Sequence, residues 1–308
     1  MDACHTPPPL TELEQQATDA FPLRMSPAFQ QRINWMDPAD PLRLQIWPHS
    51  AELEEVEGFQ QDPLQEQQSS PTQGLIQKYA GRALVQLTDA CPINCRYCFR
   101  RHQLVNAPKG EAQWQQLWQQ LAAQEDLQEL IFSGGDPLML PAHRLQQAVA
   151  EAAALPQLKR LRIHSRVPVA DPQRIDTTIL QALTGTRLTP ILVIHSNHPQ
   201  ELDETTAQAL QQCREAGMLL LNQSVLLRGI NDQAAILKQL SERLIELGVT
   251  PYYLHMLDRV TGTAHFEVGL QQAQRIMQQL HQQLPGYALP KLVREEPGKA
   301  GKTDQMWG

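Results

Sequence analysis

The segment Cys91-Pro-Ile-Asn-Cys95-Arg-Tyr-Cys98 follows closely on the apolar run Ala83-Leu-Val-Gln-Leu-Thr88. The apolar run predicts a short buried strand. The proline and asparagine after Cys91 disfavour a regular helix through the start of the cysteine segment. The cysteines are therefore expected on a loop at the carboxyl end of a strand, the end at which parallel α/β folds place their active sites.

The cysteine spacing, C-x3-C-x2-C, suits a [4Fe–4S] cluster. Such a cluster normally takes four thiolates, so a loop that offers three leaves one iron open to another ligand. An open iron is the chemical basis of radical enzymes that bind and cleave S-adenosylmethionine. Two alternatives stay open on the spacing alone. His102 lies four residues after Cys98 and completes a Cys3His set for zinc, or the cysteines bind nothing.

The bulk composition bounds the function classes. The chain has 308 residues, enough for a large core, and a formal charge of −7 that argues against broad binding to a phosphate backbone. No apolar run approaches the length of a membrane span. The first residues lack the basic and apolar regions of a signal peptide, so the expected location is the cytoplasm. Three of the five cysteines are clustered, which does not make a disulfide framework, and Cys4 and Cys213 are interpreted as structural or incidental.

Three regions are predicted along the chain: an N-terminal helical extension (1–80), a main domain (81–285) and a short C-terminal segment (286–308). The polar stretch 57–74 is interpreted as a linker or loop. In the main domain, apolar runs alternate with amphipathic stretches. The predicted strands are 83–88, 129–132, 158–164, 190–195, 218–223 and 251–256. The predicted helices lie near 111–123, 142–155, 176–184, 203–216, 232–247 and 267–283.

This alternation predicts a parallel sheet with right-handed crossovers. Six strand–helix units favour a partial (β/α)6 barrel over a complete barrel of eight, with a doubly wound open sheet as the alternative. Polar groups stand at or next to the carboxyl end of every predicted strand. They are Thr88-Asp89, Ser133-Gly-Gly-Asp136, His164-Ser-Arg166, His195-Ser-Asn-His198, Asn222-Gln-Ser224 and Asp258.

Two glycine-containing segments add further chemistry. The glycines of Ser133-Gly134-Gly135-Asp136 allow a close backbone approach, so free backbone groups there are expected to hold the amino acid moiety of S-adenosylmethionine. In Pro297-Gly-Lys-Ala-Gly-Lys302, a lysine on a flexible segment can carry pyridoxal phosphate covalently. The alternative for the first segment is an ordinary turn, and for the second a flexible tail.

The motifs together resemble the lysine 2,3-aminomutase family of radical S-adenosylmethionine enzymes. They extend from roughly residue 37 to residue 303 and comprise CPINCRYCFRRH, SGGDP, RIHSRVPV, HSNHPQE, NQSVLLRGIND, PYYLHMLD and PGKAGK. The resemblance implies a partial barrel with a [4Fe–4S] cluster, S-adenosylmethionine and pyridoxal phosphate. It also implies a reaction that moves the α-amino group of lysine to the β-carbon.

The resemblance assigns roles to single residues. Cys91, Cys95 and Cys98 match the cluster ligands, and His195 and Gln223 match contacts to S-adenosylmethionine. Lys302 matches the lysine that carries pyridoxal phosphate, with Lys299 as a competing candidate. Arg100 matches the arginine that holds the substrate carboxylate. Asp258 matches one carboxylate for the ε-ammonium, and Glu295 stands where the family has a second aspartate.

The resemblance also bears on the pathway. The family's better-known members carry a cysteine-rich tail that binds zinc between subunits, whereas this chain has no cysteine beyond Cys213, so no structural zinc is expected. The short form is similar to the bacterial enzyme that supplies (R)-β-lysine for the modification of elongation factor P. That similarity implies a reductase or flavodoxin as electron donor and a functional link to the β-lysine ligase, and it leaves homo-oligomerisation open.

Two competing functions remain at this point. The first is an aminomutase acting on glutamate or another amino acid, against which Asp258 and Glu295 argue because they would repel an acidic side chain. The second is a zinc-stabilised binding module built on the three cysteines and His102.

Overall fold

A nine-stranded sheet whose strand order follows the chain organises the computed structural model, which describes residues 6–102 and 106–306. Cys4 lies outside the described residues. The strands are β1 Leu75–Tyr79, β2 Arg82–Thr88, β3 Glu129–Gly134, β4 Arg160–Ser165, β5 Thr189–Ile194, β6 Leu219–Val225, β7 Thr250–His255, β8 Lys291–Arg294 and β9 Thr303–Asp304. The helices are α1 Glu12–Ala20, α2 Pro27–Gln30, α3 Pro41–Ile46, α4 Glu111–Ala122, α5 Ala142–Ala154, α6 Val167–Ala170, α7 Thr177–Thr184, α8 Glu204–Glu215, α9 Ala234–Glu246 and α10 Leu270–Gln283.

The seven strands from β2 to β8 pair in parallel, each with its neighbour in the chain. The six strands and six helices that the sequence predicts in the main domain are all present, and the predicted class, an α/β fold of partial-barrel type, is confirmed. β1 and β9 are antiparallel additions at the two edges. Neither they nor β8 are among the predicted strands. The β1–β2 hairpin joins the chain on both sides of residue 80.

Both faces of the sheet are buried, one towards the centre of the fold and the other against the outer helices. Leu130, Ile131 and Phe132 of β3 are all buried, as expected for a parallel strand covered on both faces. The outer helices supply the matching apolar stripe. In α10 the buried residues Ala273, Ile276, Met277 and Leu280 recur at helical spacing, which turns one face of the helix to the core. In the described residues, no helix has the length and apolarity that crossing a membrane would need.

The N-terminal extension packs on the cysteine loop through a second, smaller core. Phe29, Ile33, Leu42 and Ile46 of the extension form a buried cluster with Ile93, which lies between the first two cysteines. The backbone N–H of Asn94 donates to the carbonyl of Arg24 over 2.9 Å. The extension therefore fixes the position of the cysteine loop from the outside.

The polar stretch 57–74, predicted to be a linker or loop, is a loop, but it is packed on the main domain and is not a solvated linker. This stretch contains a 3-10 turn, Glu66–Ser69, and buries both Leu64 and Glu66 against the main domain. A polar stretch is predicted to be exposed to solvent, because a charged acid is rarely buried unless a partner compensates its charge. The partner of Glu66 is Arg100, which lies 34 residues further along the chain.

Candidate active site

A cavity of about 530 Å³ opens at the carboxyl ends of the parallel strands. This volume is within the range of cavities that hold small molecules. The structure brings all the sequence-predicted site residues to its wall. They are Cys91, Cys95, Cys98, Arg100, Ser133, Gly134, Gly135, Asp136, His195, Gln223, Asp258, Glu295 and Lys302.

The three cysteine thiols lie close together in a setting that suits a cationic cluster. Burial, together with the charge of Cys95, raises the pKa of Cys98 to about 11, and burial likewise raises the pKa of Cys91. Thiols whose charged forms are disfavoured by burial and by each other become thiolates when a metal centre supplies positive charge. Arg166 Nη1 lies 2.9 Å from Cys95 Sγ, so its guanidinium donates a hydrogen bond to one of the three sulfur atoms. The donor set therefore fits an iron–sulfur cluster.

The Cys3His zinc alternative is not formed. Among residues 6–102 and 106–306, no three His, Cys, Asp or Glu side chains converge as ligands of a single metal ion. His102 Nε2 instead lies 2.7 Å from the backbone carbonyl of Thr261. A cluster does not require such convergence, because its thiolates bind separate irons around a cube.

The backbone N–H groups of the glycine turn at the end of β3 have partners within the protein. The N–H groups of Gly135 and Asp136 donate to the carbonyls of Thr88 and Ala90 over 2.7 Å each, so they are not free for a ligand. A Cβ atom on Gly135 would lie 2.4 Å from the Ala90 oxygen. The glycines thus let this turn pack tightly against the backbone that leads into the cysteines.

Asp136 also serves the fold more than the cavity. Its carboxylate accepts hydrogen bonds from Ser165 Oγ at 2.8 Å and from the backbone N–H groups of Arg166 at 2.6 Å, Leu138 at 3.0 Å and Val167 at 3.1 Å. Burial raises its pKa to about 6, against the effect of these donors. The Asp136 carboxylate and the N–H groups of Gly135 and Asp136 thus have partners within the protein, and contact of this turn with S-adenosylmethionine stays a prediction.

Three histidines at strand ends line the cavity in neutral form. His195 Nε2 lies 2.9 Å from Gln223 Nε2, so these two predicted residues contact each other. Burial, helped by nearby cations, lowers the pKa of His195 to about 3. His164 and His255 each have a buried Nε2 with no hydrogen-bond partner in the described part of the chain. A polar ligand would satisfy such atoms.

Arg100 lies in the cavity wall and binds a carboxylate of the protein. Its Nε and Nη2 are 2.9 and 2.8 Å from the two carboxylate oxygens of Glu66, a bidentate pair. Its Nη1 is 3.3 Å from Ser133 Oγ and 3.2 Å from the carbonyl of Gly134. The guanidinium is therefore held rigidly at the end of β3.

The two predicted acids have different surroundings. Glu295 is 2.6 Å from Lys302 Nζ and 2.9 Å from Lys78 Nζ. Burial acts to raise the pKa of Glu295, but these two lysines outweigh it and lower the pKa to about 2. Burial and the charge of Glu295 raise the pKa of Asp258 to about 7, with Lys302 and Lys78 opposing. Within residues 6–102 and 106–306, Asp258 thus forms no salt bridge with a cationic side chain.

The structure separates the two candidate lysines. Lys302 lines the cavity, its Nζ lying 5.7 Å from the centre of the Tyr253 ring. Lys299 is exposed and does not line the cavity. Nearby, Arg82 and Arg162 line the cavity and have buried Nε atoms without a hydrogen-bond partner in the described ranges. Such atoms, in a wall rich in cations, fit an anionic group such as a cofactor phosphate.

Several wall residues escaped the sequence prediction. They are Glu66, Lys78, Tyr79, Arg82, Arg162, Tyr252, Tyr253 and His255. His164, which the sequence marks as a strand-end residue without a role, lies near the carboxyl end of β4, and His255 lies at that of β7, so a stricter use of the strand-end rule would have found His255 as well. Lys78 and Glu66 come from β1 and the turn before it, outside the parallel strands, and no local pattern marks them.

The chain has relatives that span nearly all of it. The family described as a 4Fe-4S single cluster domain matches residues 80–162. The protein named L-lysine 2,3-aminomutase from Haemophilus influenzae is 42% identical over 298 residues, 96% of this chain and 88% of the relative. The protein of the same name from Escherichia coli is 44% identical over 290 residues, 94% of this chain and 84% of the relative. That from Clostridium subterminale is 33% identical over 310 residues, 97% of this chain and 73% of the relative.

The sequence identity to these relatives, which extends over most of both chains, agrees with the residues that line the cavity. Three cysteines on a loop after β2, inside the matched 4Fe-4S region, support an iron–sulfur cluster that works with S-adenosylmethionine. The names of the relatives place them in the class of isomerases that move an amino group within the substrate. This chain belongs to the lysine 2,3-aminomutase family of radical S-adenosylmethionine enzymes.

Proposed function

We propose that the protein converts L-lysine to (R)-β-lysine by moving the amino group from C2 to C3, with pyridoxal phosphate as a further cofactor. The observation that carries this proposal is a single cavity that holds three cysteines, a buried arginine, and a lysine beside carboxylates. The relatives' name supports lysine as the substrate. The cluster and S-adenosylmethionine supply radical chemistry at unactivated carbon when bound, and pyridoxal phosphate supplies a conjugated system that stabilises a radical beside the migrating nitrogen.

The cofactors have candidate ligands in the cavity wall. Cys91, Cys95 and Cys98 would hold the cluster, and His195 with Gln223 would contact S-adenosylmethionine. The location of Lys302 in the cavity supports it as the residue that carries pyridoxal phosphate. The unpartnered Nε of Arg82 supports a role in binding the cofactor's phosphate. An external donor of the reductase or flavodoxin class supplies the electron.

The charged side chains that line the cavity match the charged groups of the proposed substrate. Lysine carries a carboxylate at one end and an ammonium at the other. Arg100 offers a planar fork that matches the carboxylate. Glu295 already forms salt bridges with two lysines, whereas Asp258 forms none in the described part of the chain, so Asp258 is the acid that is open to the ε-ammonium inside a closed site. Holding both ends fixes the carbon that reacts.

The product's destination is part of the same proposal. We propose that the β-lysine serves the modification of elongation factor P in the cytoplasm, through the ligase that attaches it. The resemblance of the sequence motifs to those of the bacterial enzyme of that type supports this pathway. An oxygen-sensitive cluster suits a reducing compartment.

The test is anaerobic incubation of the reconstituted protein with lysine, S-adenosylmethionine, pyridoxal phosphate and dithionite, followed by chiral analysis for β-lysine. We expect (R)-β-lysine, and a brown protein with the absorption of an iron–sulfur cluster. The S enantiomer would remove the link to elongation factor P, and a fully loaded protein that forms no β-lysine would overturn the substrate. Glutamate, offered in parallel, is expected to give no β-amino acid.

A further inference from the structure

Glu66 and Arg100 form a buried pair inside the cavity wall. Both side chains are largely removed from solvent, with 8% of Glu66 and 12% of Arg100 exposed. The Glu66 carboxylate takes the edge of the guanidinium formed by Nε and Nη2, at 2.9 and 2.8 Å. Buried charges are stable in such a setting only when each has a partner with good geometry.

The pair leaves part of the guanidinium available. Arginine has two edges that can bind a carboxylate bidentately, and its five N–H groups lie in one plane. Glu66 occupies the first edge, while contacts of Nη1 with Ser133 and Gly134 prevent rotation about the remaining axis. In the described part of the chain the one recorded hydrogen bond of Nη2 is to Glu66, so the second N–H of Nη2, on the edge that it shares with Nη1, is available to a second carboxylate. Its direction is set by the group that holds the first edge.

The turn that carries Glu66 has its own internal supports. The carboxylate of Asp62 accepts a hydrogen bond from the N–H of Glu66 at 3.1 Å, and Ser70 Oγ donates to the Glu66 carbonyl at 2.9 Å. Gln65 adopts φ 50°, a left-handed conformation that costs free energy for a residue with a side chain. Leu64 is buried beside it. Local bonds and packing therefore fix Glu66 independently of Arg100.

Glu66 also lies near Lys78, which connects it to the site residues Glu295 and Lys302. Its Oε1 is 3.9 Å from Lys78 Nζ, and that lysine is 2.9 Å from Glu295. Charges of alternating sign thus run from Arg100 through Glu66, Lys78 and Glu295 to Lys302. Removal of the Glu66 charge would leave Arg100 free to move towards the other carboxylates of the cavity.

We propose that Glu66 is the positioning residue that aims Arg100 at the substrate carboxylate. This inference rests on the proposed function, in which Arg100 binds that carboxylate. The opposite role, a competitor that blocks Arg100 until substrate displaces it, predicts the opposite effect on substrate affinity, because its removal would tighten binding.

The experiment uses the full chain loaded with its cofactors and compares Glu66→Gln, Glu66→Asp and the control Glu55→Gln, an exposed acid of the same extension. Initial rates give KM and kcat for lysine, and calorimetry gives its Kd. We expect KM and Kd to rise about tenfold in Glu66→Gln, the scale of one charge-assisted hydrogen bond. We expect kcat to change much less. Glu66→Asp keeps the charge and should recover part of the affinity.

A double-mutant cycle with Arg100→Lys tests whether Glu66 acts through the guanidinium. A lysine side chain at position 100 lacks the second hydrogen-bonding edge of a guanidinium, so Glu66→Gln should add little to the effect of Arg100→Lys. An equal tenfold loss in the Arg100→Lys protein would overturn the inference, as would unchanged or tighter lysine binding in Glu66→Gln. If Glu66→Gln fails to fold, Glu66→Asp decides: its shorter reach should raise Kd for lysine by less than tenfold in the wild-type background and leave it unchanged in the Arg100→Lys background, and an equal change in both backgrounds would overturn the inference.

The outcomes also separate this inference from the proposed function. A wild-type protein that converts lysine, with a Glu66→Gln variant of equal KM, overturns the role of Glu66 alone. A fully loaded wild-type protein that neither binds nor converts lysine overturns the proposed function, and the role of Glu66 with it.

Discussion

In the proposed function, the charge state of Asp258 affects how the cavity binds the ε-ammonium of lysine. Burial and the charge of Glu295 raise its pKa to about 7, so the carboxyl is mostly neutral below that pH. A bound ε-ammonium stabilises the carboxylate, and lysine binding therefore releases a proton below pH 7. We expect KM for lysine to fall by up to about tenfold for each pH unit as the pH rises to 7, and to level off above it. Initial rates between pH 6 and 8 measure this.

The variant Asp258→Asn tests the assignment. It should have a raised KM that no longer changes across this pH range, with unchanged iron content. The control Asp126→Asn alters an exposed acid outside the cavity wall and should keep the wild-type profile. A wild-type pH profile in Asp258→Asn would assign the titration to another group.

Lys302 is the second residue whose role the geometry makes testable. Its Nζ lies in the cavity, 2.6 Å from Glu295, whereas Lys299 is exposed. Borohydride reduction of the protein loaded with pyridoxal phosphate should attach the cofactor permanently to Lys302, as located by peptide mass spectrometry. Lys302→Ala should lose this label, and Lys299→Ala should keep it. A label on Lys299 would contradict the assignment.

Several site residues that the sequence predicts share a property that Glu66 and Lys78, which it misses, lack. Asp258, His195 and Gln223 lie at or just beyond the carboxyl ends of parallel strands, where the fold itself predicts an active site. Glu66 and Lys78 reach the cavity from a 3-10 turn and an antiparallel edge strand. Their neighbours are set by packing between regions distant in the chain, and a single sequence holds no local signal for that.

At the level of secondary structure, the turn after β3 joins the cavity to the cysteine loop. Gly135 allows its backbone to pack against residues 89 and 90, immediately before Cys91. A methyl group there would lie 2.4 Å from the Ala90 oxygen, so Gly135→Ala must displace one backbone or the other. We expect a loss of about 1–3 kcal/mol in the free energy of unfolding, the usual range for overpacking. Iron content after reconstitution should fall as well.

The control for this prediction is Gly269→Ala at the start of α10, where an added Cβ has nothing within 4 Å. Urea denaturation and iron analysis are compared for the two variants. Equal stability and equal iron content would show that the turn after β3 tolerates a side chain.

The sequence predicts the strands of the sheet more clearly the more fully they are buried. The run Ala83–Thr88 predicts β2, observed at Arg82–Thr88, because continuous apolar residues mark a strand covered on both faces. β8 has four residues and β9 has two, too few for any periodicity to emerge. β1 begins apolar and ends polar, and its role as an edge strand comes from the hairpin with β2. Edge strands depend on their partners more than on their own composition.

At the scale of the whole molecule, the extension and the cysteine loop share one buried ionic cluster. The carboxylate of Glu52, in the extension, lies 2.8 Å from Arg96 Nε and 2.6 Å from Arg101 Nη2, and Arg96 is fully buried. Arg96 also donates to the carbonyls of Phe21 and Ala17. One acid therefore compensates two guanidinium groups that flank the last cysteine of the cluster loop.

Loss of this acid should affect stability and the cluster together. Glu52→Gln leaves two buried cations without a counter-charge, and removal of one partner from a buried ion pair costs about 3–5 kcal/mol. The exposed pair Arg243–Glu246 provides the matched control, because Glu246→Gln should cost less than about 1 kcal/mol. Urea denaturation followed by circular dichroism gives the free energies of unfolding, and iron analysis gives cluster retention. Because the extension holds the loop in place through this acid, we expect Glu52→Gln to lose iron at urea concentrations that leave the wild type loaded. Equal denaturation midpoints for the two variants would mean that the cysteine loop keeps its position without the extension's charge.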